Sequence, residues 1–181
     1  MDKWLAPHLT AAMPERTNMS VIDETLEANT RYAADFTKGA LPLPPGRQLA
    51  VVVCMDARID PAKALGLAEG DAHVIRNAGG RVSEALRSLA ISQTLLGTKE
   101  VAVVHHTDCG MLTFTDDSIR KQLREQRGAD ADHVAFLPFP ELDQSVRDDL
   151  AAYKRSPLVR QDVPLRGFVY DVKTGRLREV K

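Results

Sequence analysis

Four residues have types and spacing that can do chemistry together: Cys54, Asp56, His106 and Cys109. Cys54-Met55-Asp56-Ala57-Arg58 follows the apolar run 49–53, and His105-His106-Thr107-Asp108-Cys109-Gly110 follows the apolar run 101–104. His106 and Cys109 form H-x-x-C, a spacing at which both side chains can turn to one metal. Zinc takes thiolate at about 2.3 Å and imidazole at about 2.0–2.1 Å, and three protein ligands leave a fourth position open, as catalytic sites require. Asp56 is either a fourth ligand or a group beside the ligands. Arg58 can hold Asp56 in a bidentate pair.

Such a site needs the two runs to lie side by side and point the same way. Each is rich in β-branched residues and ends in polar chemistry, the pattern of a buried parallel strand whose C-terminal end opens into a crevice. Further strands are expected over 72–76, 165–172 and 176–180, and helices over 21–36, 61–65, 83–96, 115–127 and 141–155. Strand, helix and strand across 72–105 form a parallel βαβ unit, with Ser83 read as the cap of its helix. Lys173-Thr174-Gly175 turns the last two strands into an antiparallel edge hairpin. The fold class is therefore α/β, a single domain with a mostly parallel sheet flanked by helices and an N-terminal helical arm. Residues 1–18 lack periodicity and read as a flexible extension, leaving the domain at 19–181.

At 181 residues, with 44% hydrophobic and 27% charged residues, the chain suits one ordered domain. A formal net charge of −1 offers no electrostatic case for nucleic acid or an anionic membrane. No apolar run spans a bilayer, and no signal-peptide core opens the chain. Two cysteines without an export signal point to the cytoplasm and to free or ligating thiols.

Each residue has a blander alternative. A lone cysteine is most often a small buried hydrophobe, but two at neighbouring strand ends beside a histidine and a carboxylate are not alone. His105 should point away from His106 and serve packing; His73 reads the same way. The glycines of Asn77-Ala78-Gly79-Gly80 can simply permit a turn. In the same crevice they can instead let a small ligand approach the backbone, and Asn77, Gly79, Gly80 and Gly110 are candidate substrate-binding residues on that ground.

C-x-D-x-R at one strand end, R-N-A-G-G after the next and H-x-x-C-G after the third together resemble the β-class carbonic anhydrases. The match runs in order through 51–115, and 21–36 resembles that family's N-terminal helix. The resemblance implies zinc on Cys54, His106 and Cys109, an Asp56–Arg58 catalytic dyad, and reversible hydration of carbon dioxide to bicarbonate. It also implies a homodimer or a dimer-based assembly. Two thiolates donate more charge than two imidazoles. The water should therefore ionise less readily than in the three-histidine carbonic anhydrases, where its pKa is about 7.

Three rival readings use the same residues. The same site could hydrolyse carbon disulfide or carbonyl sulfide. A non-catalytic zinc-binding or thiol-sensing module would have no need of Asp56 with Arg58. A cysteine phosphatase needs several backbone N–H groups between Cys54 and Arg58, and Asp56 there would repel phosphate.

Overall fold

The computed structural model describes residues 20–181, so the expected extension at 1–18 lies outside the described residues. The chain divides into two units, one ending at Leu41 and one spanning Pro42–Lys181.

The first unit carries α1, Val21–Ala34, two residues shorter than expected. Ser20 starts it with a capping box: its hydroxyl accepts from the Asp23 N–H and the Asp23 carboxylate accepts from the Ser20 N–H. Val21, Ile22 and Leu26 are exposed, as is Phe36 beyond the helix end, and α1 has no buried residue.

The second unit is built on five strands: β1 (Leu49–Cys54), β2 (Ala72–Asn77), β3 (Glu100–His106), β4 (Leu165–Tyr170) and β5 (Leu177–Val180). Their order is β2-β1-β3-β4-β5, parallel except for the antiparallel β4–β5 pair at one edge. The α/β class and the edge hairpin thus match expectation. β1 and β3 occupy the middle and are buried on both faces, which explains their near-continuous apolar runs.

Alternation along these strands divides the core. Ala50, Val52, Val101 and Val103 face α3 (Val82–Leu95) and α5 (Leu142–Arg155), meeting Leu89 and Tyr153. Val51, Val53 and Val104 face the other way, towards Ile59 and Met111. α2 (Pro61–Leu65) opens on Asp60, whose side chain accepts from the Lys63 N–H. α4 (Asp116–Arg127) has a capping box on Thr115 and Ser118 and no buried residue, as its all-round polarity predicts.

Two expectations need correction. Ser83 does not cap α3. The helix starts one residue earlier, and the buried carboxylate of Asp149 on α5 accepts from the Val82 N–H at 3.0 Å. A tertiary partner thus does the work of a local cap. The strand ends also differ: β1 includes Cys54 and β3 includes His106, while β4 stops at Tyr170 and β5 starts at Leu177.

Candidate metal centre

The register of the sheet brings the chemistry together. Val53 pairs with Val104 across β1 and β3, so Cys54 at the end of one strand lies beside the end of the other. His106 is the last residue of β3, and Cys109 follows on a turn whose Asp108 has φ 56°. Cys54 Sγ, Cys109 Sγ and a ring nitrogen of His106 all lie within 4.8 Å of one another, and all three residues are buried.

The His106 ring is oriented by its own neighbour. Nδ1–H donates to the Thr107 carbonyl at 2.9 Å, which leaves Nε2 as the lone-pair nitrogen. Nε2 is buried without a hydrogen-bond partner. An orphaned buried polar atom costs about 1–3 kcal/mol, and a cation facing it and two thiols removes that cost. Two sulfurs and one imidazole nitrogen fit zinc in donor chemistry as well as in number.

Cys54 and Cys109 shift each other in opposite directions. The hydrogen bond from Cys109 pulls Cys54 well below the usual thiol value, outweighing burial. That same bond, together with burial, pushes Cys109 up. Burial disfavours the charged form of His106, but its interaction with the Cys54 sulfur lifts it above its ordinary value.

Asp56 stands beside this group, its Oδ2 3.8 Å from His106 Nε2. Arg58 grips it from the front: Nε donates to Oδ1 at 3.0 Å, Nη2 to Oδ2 at 2.8 Å, and the Arg58 N–H adds 2.9 Å to Oδ1. These bonds hold the Asp56 carboxyl well below the usual carboxylate range. Both oxygens are thus already engaged by donors, and Asp56 is outside the three-residue group.

A cavity of about 320 Å³ opens onto the centre. Cys54, Asp56 and Cys109 supply its polar side, and Met55, Ala78, Met111 and Phe114 its apolar side, with Gly79 and Gly110 between. Of the four candidate substrate-binding residues, Asn77 and Gly80 are not among its lining. Asn77 is turned to the next residues, with Oδ1 accepting from the Arg81 N–H at 2.6 Å and Nδ2 donating to the Arg81 carbonyl at 2.8 Å. Gly80 has φ 70°, and a Cβ there would stand 2.9 Å from Cys54 N and 3.0 Å from the Val104 carbonyl oxygen. Its close approach is to the strands rather than to the cavity. A larger cleft of about 740 Å³ along Leu112–Ser118 and Pro138–Pro140 touches this one at Phe114 but includes none of the three ligand atoms.

His105 faces the opposite side, as expected. Its Nδ1 shares a hydrogen bond with Ser145 Oγ at 2.7 Å, its Nε2 lies 3.1 Å from Asp149 Oδ2, and its ring stacks on Phe139. His73 bonds Ser92 Oγ at 2.7 Å, remote from the centre.

Two residues of the site carried no role in the sequence reading. Arg76 donates to the carbonyls of Cys54 and Asp56, the latter at 2.7 Å, and so pins the end of β1 against β2. Asp108 accepts from Arg58 Nη1 at 2.6 Å. Both lie inside the quoted motifs, Arg76 in R-N-A-G-G and Asp108 between His106 and Cys109; a charged residue so near a ligand was the available signal.

The carbonic anhydrase family model matches residues 49–177. β-Carbonic anhydrase 1 of Mycobacterium tuberculosis is 48% identical over 165 residues, covering 90% of this chain and 99% of that protein. A carbon disulfide hydrolase of Acidianus sp. is 35% identical, covering 87% and 88%. The solved carbonic anhydrase of Streptococcus mutans superposes with a TM-score of 0.87 at 48% identity, covering 91% of this chain and all of that one. With this sheet, this Cys-His-Cys group and these relatives, the chain belongs to the β-carbonic anhydrase family.

Proposed function

We propose that the chain is a zinc lyase that reversibly hydrates carbon dioxide to bicarbonate and a proton, with Cys54, His106 and Cys109 holding the metal. The observation that carries this is the partnerless Nε2 of His106, facing two thiols beside a carboxylate that an arginine keeps ionised. When bound, zinc supplies a Lewis acid that makes water a nucleophile near neutral pH.

The chain's own residues do the rest. Asp56, held ionised, is an acceptor only, so it can take a hydrogen bond from the attacking water and turn its lone pair to the substrate. Arg58 draws the same carboxylate away from the ligand group, so that Asp56 does not close the fourth position. Met55, Ala78, Met111 and Phe114 give uncharged carbon dioxide an apolar wall to rest against.

Hydrolysis of carbon disulfide is the second reading, favoured by the carbon disulfide hydrolase relatives. Assaying the zinc-loaded protein on both substrates separates them: hydration well above buffer with negligible sulfide release supports the first, and the reverse supports the second.

We further infer a homodimer, in which α1 lies across a second copy. A 14-residue helix with no buried residue is marginal by itself and needs a surface for Val21, Ile22 and Leu26. The catalytic domain is taken as 19–181 with 1–18 as an extension. Two free, buried thiols that serve as ligands suit a reducing compartment such as the cytoplasm. Among the described residues no helix is long and apolar enough to cross a membrane.

A further inference from the structure

Arg58 is gripped along two edges. A guanidinium carries five N–H donors in a fixed plane. The Nε and Nη2 edge takes the two oxygens of Asp56. The Nη1 and Nη2 edge takes Asp108, whose Oδ2 accepts at 2.6 Å and whose carbonyl accepts at 2.9 Å. The two carboxylates differ in what they anchor. Asp56 is two residues from Arg58 and travels with it, whereas Asp108 is 50 residues away and sits next to Cys109.

The backbone of Asp108 is also committed. Its φ of 56° lies in the left-handed region, which aspartate and asparagine enter more readily than most residues. In that conformation its carbonyl and its carboxylate meet the same guanidinium.

We propose that Asp108 is a positioning residue that fixes the guanidinium of Arg58, and through it the carboxylate of Asp56, against the turn that carries Cys109. The inference rests on the hydration reading and adds a third member to the dyad. Without Asp108, Asp56 and Arg58 form a local pair anchored at one strand end, free to swing as a unit into the solvent that already reaches Arg58. With it, the pair is tied from the end of β1 to the turn after β3, and Asp56 keeps its place 3.8 Å from His106 Nε2. A planar fork makes this tie directional, which a lysine would not.

Misplacing a reacting group by about 1 Å can cost about 10²-fold in rate. Arg76 still pins the Asp56 carbonyl, so the expected loss from removing Asp108 is smaller, about tenfold in kcat.

The test uses the full zinc-loaded chain and two variants. Asp108→Gly keeps the left-handed backbone at no steric cost and removes the carboxylate. Asp108→Asn keeps one acceptor oxygen and the tolerance of that backbone. Three quantities are read: solvent exchange of the Arg58 Nε–H by nitrogen-15 NMR, zinc per chain, and kcat with KM. The Nε–H of Arg160, bonded to Asp162 at 2.9 Å, is the internal reference.

Asp108→Gly should speed Arg58 Nε–H exchange and lower kcat, each about tenfold, with KM and zinc content unchanged. Asp108→Asn should recover most of both. If Asp108→Gly does not fold, a rise of about threefold in exchange for Asp108→Asn carries the same weight, because a neutral acceptor is roughly half as strong. Unchanged exchange in the variants overturns the proposal. So does a fall in kcat without faster exchange, or zinc loss from both variants, which would make Asp108 a support of Cys109. A parent that hydrates no carbon dioxide contradicts the functional reading instead, and the exchange data still judge the clamp.

Discussion

His105 and His106 are adjacent on β3 and face opposite sides of the sheet. One reaches Ser145 and Asp149 on α5; the other turns its free Nε2 to Cys54 and Cys109. Period-two alternation alone separates a packing histidine from a ligand. His106→Ala should therefore abolish zinc binding. His105→Ala should keep about one zinc per chain but lose about 2–4 kcal/mol of stability, from the cavity and the lost contacts to Ser145 and Asp149. Metal analysis and urea unfolding of the two variants check this. Equal zinc loss from both would merge the roles.

Replacing Asp56 with Asn, or Arg58 with Ala, should lower hydration about 10²-fold or more while zinc stays bound. The first loses the ionised acceptor. The second frees the carboxylate to compete for the fourth metal position. Retained zinc with parental rates across the pH range would leave the pair a solvent-screened ion pair with no part in catalysis.

Zinc uptake should strengthen as pH rises. In the metal-free protein Cys109 and His106 both hold their protons above the ordinary values, and both must release them to ligate. Raising pH removes that competition, so affinity measured against a chelator should be higher at pH 8 than at pH 6, with about one to two protons released per zinc. An affinity flat in pH would mean that neither group loses a proton on binding.

The glycines of the site should divide sharply. Gly80→Ala puts a Cβ against the β1 and β3 backbone at φ 70° and should cost about 3 kcal/mol or more. Gly110→Ala meets nothing within 4 Å and should change stability by less than about 0.5 kcal/mol. Thermal unfolding of both variants decides the matter.

Deleting residues 1–18 should leave the proposed dimer intact, whereas deletion through Lys38 removes α1 and should give monomers. Light scattering at micromolar concentration reads this directly. A monomeric full-length chain would refute it.

Much of the frame is legible in the residues because it is local. The β-branched runs before Cys54 and His106 mark buried strands, and their polar ends mark the crevice. The caps at Ser20 and Thr115 follow from side chains within three residues. What escapes is tertiary. Asp149 serves the start of α3 from 67 residues away, so Ser83 looks like the cap when read alone. Asp108 and Arg76 gain their roles only when β1, β2 and β3 lie side by side. Gly80 reads as a ligand contact from its motif, but the backbones of β1 and β3 are what exclude a Cβ there.

If hydration happens at one zinc held by Cys54, His106 and Cys109, activity must follow metal occupancy. Titrating the metal-free protein with zinc while recording proton release from dissolved carbon dioxide measures this. The rate should climb in proportion to zinc and level off at one ion per chain, with Cys109→Ser flat throughout. A rate indifferent to zinc, or full zinc loading without any hydration above buffer, would contradict it.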